Sequence, residues 1–233
     1  MADPNLPLLE DAVRKLAPFL DEVVFVGGVT LGLLITDEAA APIRGTTDVD
    51  VIAEIVTYAD YIAFSERLRL AHFTEDEELT CRWHHEGLML DVLALNKEVL
   101  GFTNIWYESA LRHASALSLP GGASIRVITA PFFLATKMEA FRGRGKLDFQ
   151  ASHDLEDFVA VIEGRENVVQ EIAESPQAVR VYLAQAVKSL LAEPRFLDVL
   201  PGFVLDDERV PLIKDRFAAI GAGVSSNLCK RPG

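Results

Sequence analysis

The chain has 233 residues, half of them hydrophobic, a formal net charge of −13 and a pI near 4.8. That length and apolar content are enough for a sizeable core and exclude a disordered chain, while the acidity excludes RNA binding by overall charge, so any nucleic-acid contact needs a local basic patch. Cys81 and Cys229 alone exclude a disulfide scaffold or a thiolate zinc site, and no run approaches the roughly 18 apolar residues of a membrane span, so a soluble, cytoplasmic protein without a membrane partner is expected.

Leu8, Leu9, Ala12, Val13, Leu16 and Leu20 recur at helical spacing and predict an amphipathic first helix. Val23 to Val26 is an unbroken β-branched and aromatic run, which predicts a strand buried on both faces that Gly27-Gly28 ends. A short helix over Thr30 to Ile35, a loop over Thr36 to Arg44 and a second strand over Asp48 to Ile55 follow. Arg44, Thr46 and Thr47 precede that strand, where a phosphate or ribose contact would be useful; they fit a solvated arginine and two β-formers equally well.

Tyr58 to Leu70 has helical periodicity, and Thr80 to His85 and Leu88 to Leu95 flank Glu86-Gly87 as a hairpin. Asn104 to His113 predicts a helix, and Ser115 to Leu119 with Ser124 to Ile128 a second hairpin around Pro120-Gly121-Gly122. From Pro131 the chain turns helical. The expected fold class is α/β (α+β), a mixed sheet with flanking helices over 1–130, then a helical region over 131–220 and a loose tail over 221–233.

Three carboxylates stand out. Asp48 and Asp50, two apart on a strand, leave the same face, and Asp91 is flanked by apolar residues in Leu88-Met89-Leu90-Asp91-Val92-Leu93. Like charges gathered on adjacent strands must be bridged by cations or have raised pKa values, and a glycine turn beside them lets backbone N–H groups approach a phosphate. The pattern therefore predicts a site for a divalent metal and a triphosphate. In the helical region Lys137 lies on an apolar stripe, Arg142-Gly143-Arg144-Gly145-Lys146 is the one dense basic cluster, and Asp154 and Asp157 share a helix face. For these the plain alternatives are a snorkelling lysine, a solvated turn and acids in a first helical turn capped by Ser152.

The succession VGG, RGTTDVDV and LDVL resembles the active-site pattern of the nucleotidyltransferase superfamily that includes DNA polymerase β. The segment TKMEAFRGRGKLDFQASHDLEDFVAVI resembles the helical signature of AbiEii-type nucleotidyltransferases, a group that includes toxins of toxin–antitoxin systems. The two matches span residues 23 to 165. The chain departs from the pattern in the 19 residues between Gly28 and Asp48, a longer gap than usual, and in Gly28 where many relatives have serine, which leaves backbone N–H groups or Thr30 to meet the phosphate.

The resemblance implies a nucleotidyltransferase-like fold and transfer of an NMP from an NTP to a hydroxyl with release of pyrophosphate. It implies two Mg²⁺ ions on Asp48, Asp50 and Asp91, catalytic roles for these three and Lys137, and nucleotide contacts from Gly27, Gly28, Thr30, Arg44, Thr46, Thr47, Lys137, Arg142, Arg144, Asp154 and Asp157. The implied acceptor is RNA, at a tRNA 3′ end, with an antitoxin protein as partner in the toxin case. A small cationic acceptor of the aminoglycoside kind, an NTP-binding module without turnover, and an α/β domain whose aspartates are plain surface residues are the competing expectations.

Overall fold

The computed structural model describes residues 3–144, 148–204 and 206–223, with the backbone alone at Arg144. They form two compact units: one from Ala2–Leu33 and Ile43–Thr129, the other from Leu34–Pro42 and the chain from Ala130 onward.

The first unit holds a seven-stranded mixed sheet. Its strands are β1 (Val23–Val26), β2 (Val49–Ala53), β3 (Thr74–Glu75), β4 (Arg82–His85), β5 (Leu88–Leu93), β6 (Ser115–Ser118) and β7 (Ser124–Val127), in the spatial order β3-β4-β5-β2-β1-β7-β6. β2 pairs β5 in parallel and β1 antiparallel, so β2 is enclosed on both sides. β1 is buried at every position, as its apolar run requires, and β2 and β5 are buried except at Asp50, Met89 and Asp91. Those two aspartates are the breaks in an otherwise apolar centre.

Helix α1 (Leu6–Lys15) buries Leu9, Ala12 and Val13 and packs on β2 and β5. It stops before Pro18, and the apolar spacing continues through a 3₁₀ turn over Ala17–Phe19, so the predicted first helix is shorter than its periodicity. After β1 come a 3₁₀ turn over Gly28–Thr30 and α2 (Leu31–Leu34). α3 (Tyr58–Leu70) has the predicted bounds: Thr57 and Asp60 form a reciprocal capping box at its start. The short helices α4 (Lys97–Leu100) and α5 (Tyr107–Arg112) complete this unit. The predicted strands are three residues too long at β2 and two at β4 and β5, and β3, only two residues long, escapes a pattern search.

The second unit is built from α6 (Ala130–Arg144), α7 (His153–Gly164), α8 (Val168–Glu174), α9 (Gln177–Leu191), α10 (Pro194–Val199) and α11 (Val210–Gly221). Phe141, Phe149, Phe196, Phe217 and Phe158 meet ring to ring in sequence, with centroids 5.3 to 6.3 Å apart, and form its aromatic spine. The segment Leu34–Pro42, which takes in most of the expected connecting loop over Thr36 to Arg44, belongs to this unit. The Gly164 carbonyl accepts from the N–H groups of Thr36 and Asp37, and a Cβ at Gly164 would stand 2.8 Å from Ile35. Arg209 adds a clamp, donating to Glu163 and Asp37. The predicted tail keeps helix to Gly221; residues 224–233 lie outside the described residues.

Candidate active site

Strand register builds the site. Asp50 on β2 lies beside Asp91 on β5, and across β2 it faces Val26, the last residue of β1. Register partners point to one face of a sheet, and Asp48, two residues before Asp50, shares it. The three predicted carboxylates are thus brought together at the sheet's centre.

The row has a fourth member that the sequence argument did not single out. Arg82 on β4 is the antiparallel partner of Asp91. Its Nε donates to Asp91 Oδ1 at 2.8 Å, and Nη2 donates to Asp91 Oδ2 at 2.8 Å and to Asp48 Oδ2 at 3.0 Å. A fork bound to both oxygens of one carboxylate is the strong form of an arginine–acid pair. The Asp91 carboxylate holds the Arg82 proton well above the usual arginine range, against the opposing effect of burial. A resident guanidinium is thus one of the cations that bridge these acids, joining Asp91 and Asp48.

Signals for Arg82 were present in the chain. Glu86 and Gly87 both have positive φ, +46° and +82°, the two-residue hairpin geometry that leaves His85 opposite Leu88. Counting outward three residues on each side arrives at Arg82 and Asp91.

The glycine turn closes the other side. Gly27 has φ +70°, and a Cβ there would stand 2.0 Å from Asp50 Oδ2, so the Asp50 carboxylate lies directly on bare backbone. A Cβ at Gly28 would meet the Thr46 side chain at 3.3 Å and Arg44 Nη2 at 3.4 Å. Gly27, Gly28, Arg44 and Thr46 are therefore neighbours of the acids. Thr46 Oγ1 donates to Asp48 Oδ1 at 2.9 Å and orients that carboxylate.

Asn5 ties the loop to the turn. Its Oδ1 accepts from Thr46 N–H, and its Nδ2 donates to the carbonyls of Gly28 and Arg44. It sits at the N-cap of α1, but its side chain caps nothing there. Two other expectations change. Thr30 is fully buried and its hydroxyl donates to the Gly27 carbonyl, so it shapes the turn and does not face a phosphate. Thr47 is exposed, at a bend two residues before β2.

Lys137, Asp154 and Asp157 meet inside the helical unit. Lys137 Nζ lies 2.7 Å from Asp157 Oδ2 and 3.2 Å from Asp154 Oδ1, with the three side chains 10%, 0% and 11% exposed in the order Lys137, Asp157, Asp154. Ser152 caps α7 through the Leu155 N–H, as the plain alternative for this segment requires. The buried pairing further accounts for Asp154 and Asp157 as more than first-turn acids. Arg142 lies over the Tyr182 ring, 5.2 Å from its centroid, and within 4.0 Å of Glu139. The side chain of Arg144 and residues Gly145 and Lys146 lie outside the described residues.

As a cation site the strand row has the right chemistry, since hard Mg²⁺ takes carboxylate oxygens. Among the described residues no group of three or more His, Cys, Asp or Glu side chains is placed to hold a metal ion. Mg²⁺ does not need one: it is usually held by one or two carboxylates together with substrate phosphates. Asp48 and Asp50 supply two such carboxylates; both oxygens of Asp48 accept hydrogen bonds, from Thr46 and Arg82, and both oxygens of Asp91 accept from Arg82.

No family model matches the chain, and neither does any curated protein. Solved structures do. A candidate nucleotidyltransferase from H. pylori aligns over 94% of this chain and 93% of its own at 13% identity and a TM-score of 0.45. JHP933 from Helicobacter pylori aligns over 95% and 94% at 15% identity and a TM-score of 0.42.

Proposed function

We propose that the sheet unit is the catalytic part of a metal-dependent nucleotidyltransferase, which moves an NMP from an NTP to an acceptor hydroxyl and releases pyrophosphate. One observation carries this: Asp50 and Asp91 stand side by side on the central strands, with the Asp50 carboxylate against the bare backbone of Gly27. An acidic row meeting a glycine turn is what phosphoryl chemistry on a triphosphate requires, because its catalysis is positioning plus charge stabilisation.

In this reading Asp48 and Asp50 hold Mg²⁺. When bound, Mg²⁺ supplies neutralisation of the triphosphate charge and polarisation of the α-phosphorus. Thr46 holds the Asp48 carboxylate in orientation, and Asn5 fixes Thr46. Gly28 leaves the turn open where Arg44 and Thr46 approach, so the phosphates meet a cation and a hydroxyl there. Arg82 keeps Asp91 and Asp48 from repelling each other before substrate arrives. The proton of the acceptor hydroxyl passes to a carboxylate oxygen of the row.

The AbiEii-type likeness of the segment around Lys137 supports RNA as acceptor, a tRNA 3′ end in particular, and a toxin role with an antitoxin partner. The test incubates the protein with Mg²⁺, each α-labelled NTP and bulk tRNA, beside Asp48→Ala/Asp50→Ala. Label on RNA with wild type and none with the variant is the expected result. Label on a small cationic acceptor instead redirects the acceptor; Mg-NTP binding without transfer to anything leaves a binding module; no binding at all removes the proposal.

A further inference from the structure

We infer that His84, held by Asp76, is the group to which the acceptor hydroxyl's proton is handed on from the acidic row; this rests on the transferase reading above. Strand register puts it there. His84 on β4 pairs with Met89 of β5 and Thr74 of β3, while Arg82, two residues before it, pairs with Asp91. Residues two apart on a strand share a face, so His84 stands on the face of Asp48, Asp50 and Asp91. It is the diagonal neighbour of Asp91, about 7–8 Å away between Cα positions.

The imidazole is mounted as a base. Its Nε2 lies 2.7 Å from Asp76 Oδ2. Asp76 Oδ1 accepts from the N–H groups of Glu78 and Leu79, and the Asp76 N–H donates to the Arg82 carbonyl, which fixes this carboxylate just after β3. These donors, His84 first, hold the Asp76 carboxyl down at about 2, and an ionised carboxylate only accepts. Nε2 therefore carries the hydrogen, and in the neutral ring Nδ1 keeps its lone pair, with no hydrogen-bond partner among the described residues. The His84 side chain is 39% exposed, open to water. The charged groups set around it on this face are Asp76, Arg82 and Asp91, and from α1 Lys15 donates to the carbonyls of His85 and Glu86 at the hairpin turn.

The reaction needs a proton acceptor on this side. An in-line displacement sets the attacking hydroxyl and the leaving pyrophosphate on opposite sides of the α-phosphorus. With the phosphates at the Gly27 turn beside β1, the acceptor lies over β5 and β4. Its oxygen bonds to the α-phosphorus, the bond from that phosphorus to the bridging oxygen breaks, and pyrophosphate leaves with the electron pair. The hydroxyl proton goes to a carboxylate of the row. Both oxygens of Asp48 and of Asp91 already accept hydrogen bonds, so a proton on either competes with a donor in place. From the row it crosses water on the open face to His84 Nδ1, because imidazole takes up and releases protons near neutral pH. Asp76 is a positioning residue: it sets the tautomer.

The test follows label transfer against pH for wild type, His84→Gln, His84→Gly and Asp76→Asn. Wild type is expected to gain rate through a limb in the imidazole range, about pH 6–7. His84→Gln is expected to lose that limb and about 10²-fold in rate at neutral pH, and free imidazole to restore His84→Gly. Asp76→Asn should move the limb to lower pH, since it removes the carboxylate that favours the imidazolium. A folded His84→Gln that keeps the wild-type limb, or a loss in His84→Gly that imidazole leaves untouched, overturns the inference and leaves the transferase reading standing. No transfer by wild type at any pH, to tRNA or to a small cationic acceptor, removes both. A second measurement needs no variant. Long-range ¹H–¹⁵N spectra of wild type at the pH of greatest activity report the His84 ring: hydrogen on Nε2 with a bare Nδ1 is expected, and hydrogen on Nδ1 overturns the inference.

Discussion

In each unit a cation, Arg82 in one and Lys137 in the other, lies between two carboxylates, and these two clusters differ in what surrounds them. Arg82 bridges Asp91 and Asp48 at a sheet face where the side chains keep 13% to 30% of their surface. Lys137 bridges Asp157 and Asp154 among packed helices, where none keeps more than 11%. Solvent is the difference. A half-open row tolerates exchange of partners, because water and substrate can replace a lost contact. A closed triad does not, since removing its cation leaves buried charge uncompensated.

The largest effect on stability is therefore expected at Lys137. Lys137→Met should cost about 3–5 kcal/mol, read from urea denaturation, because Asp157 is fully buried and loses its nearest cation. A cost under about 1 kcal/mol combined with lost NTP binding would instead assign Lys137 to the phosphates, as the AbiEii likeness implies.

Asp50→Asn sharpens the contrast from the other side. The side chain changes charge but not shape, so the melting temperature should hold while label transfer falls by at least about 10²-fold. A large fall in stability with it would make the row structural.

Gly27→Ala should do both kinds of damage. Alanine at φ +70° is strained, by about 1–3 kcal/mol, and its Cβ would collide with the Asp50 carboxylate. Denaturation gives the first part and transfer assays the second. Asn5→Ala comes next: it removes the acceptor of Thr46 N–H and the donor to Gly28 and Arg44, a loss of about 1–3 kcal/mol, and loosens Asp48 through Thr46.

The smallest effect concerns pH. Burial, helped by the Asp91 carboxylate, pushes the Cys81 thiol up from its usual 9.0 to about 11. The folded-state pKa is raised, so the contribution to stability is complete below pH 9 and is lost as pH rises from there toward about 11, where the unfolded chain has already released the proton. Wild type should lose more stability than Cys81→Ser across that window, and Cys81 should react slowly with thiol reagents near neutral pH. Fast modification of the native protein would show that the β4 end of the row opens.

Much of this could be read along the chain. The apolar run of β1, the glycine turn, the acids of β2 and β5 and the bounds of α3 all follow from patterns local to a few residues, because a strand's alternation and a helix's caps are local physics. Even Arg82 opposite Asp91 was within reach, since a two-residue turn fixes hairpin register by counting. Only then does the arginine stop being one more polar residue on a strand.

Asn5 could not be found that way. It occupies the N-cap position of α1, yet its side chain spends its hydrogen bonds on a loop some forty residues away, at Arg44 and Thr46. Thr30 looked available to a phosphate until burial turned its hydroxyl onto Gly27. Thr36 to Arg44 looked like a connecting loop until Gly164 accepted two of its N–H groups. In this protein the sequence by itself determined which residues carry charge and which strands must be buried. Tertiary structure decided which cation meets which carboxylate, because pairing across a sheet or between helices depends on distances that the chain's own order does not encode.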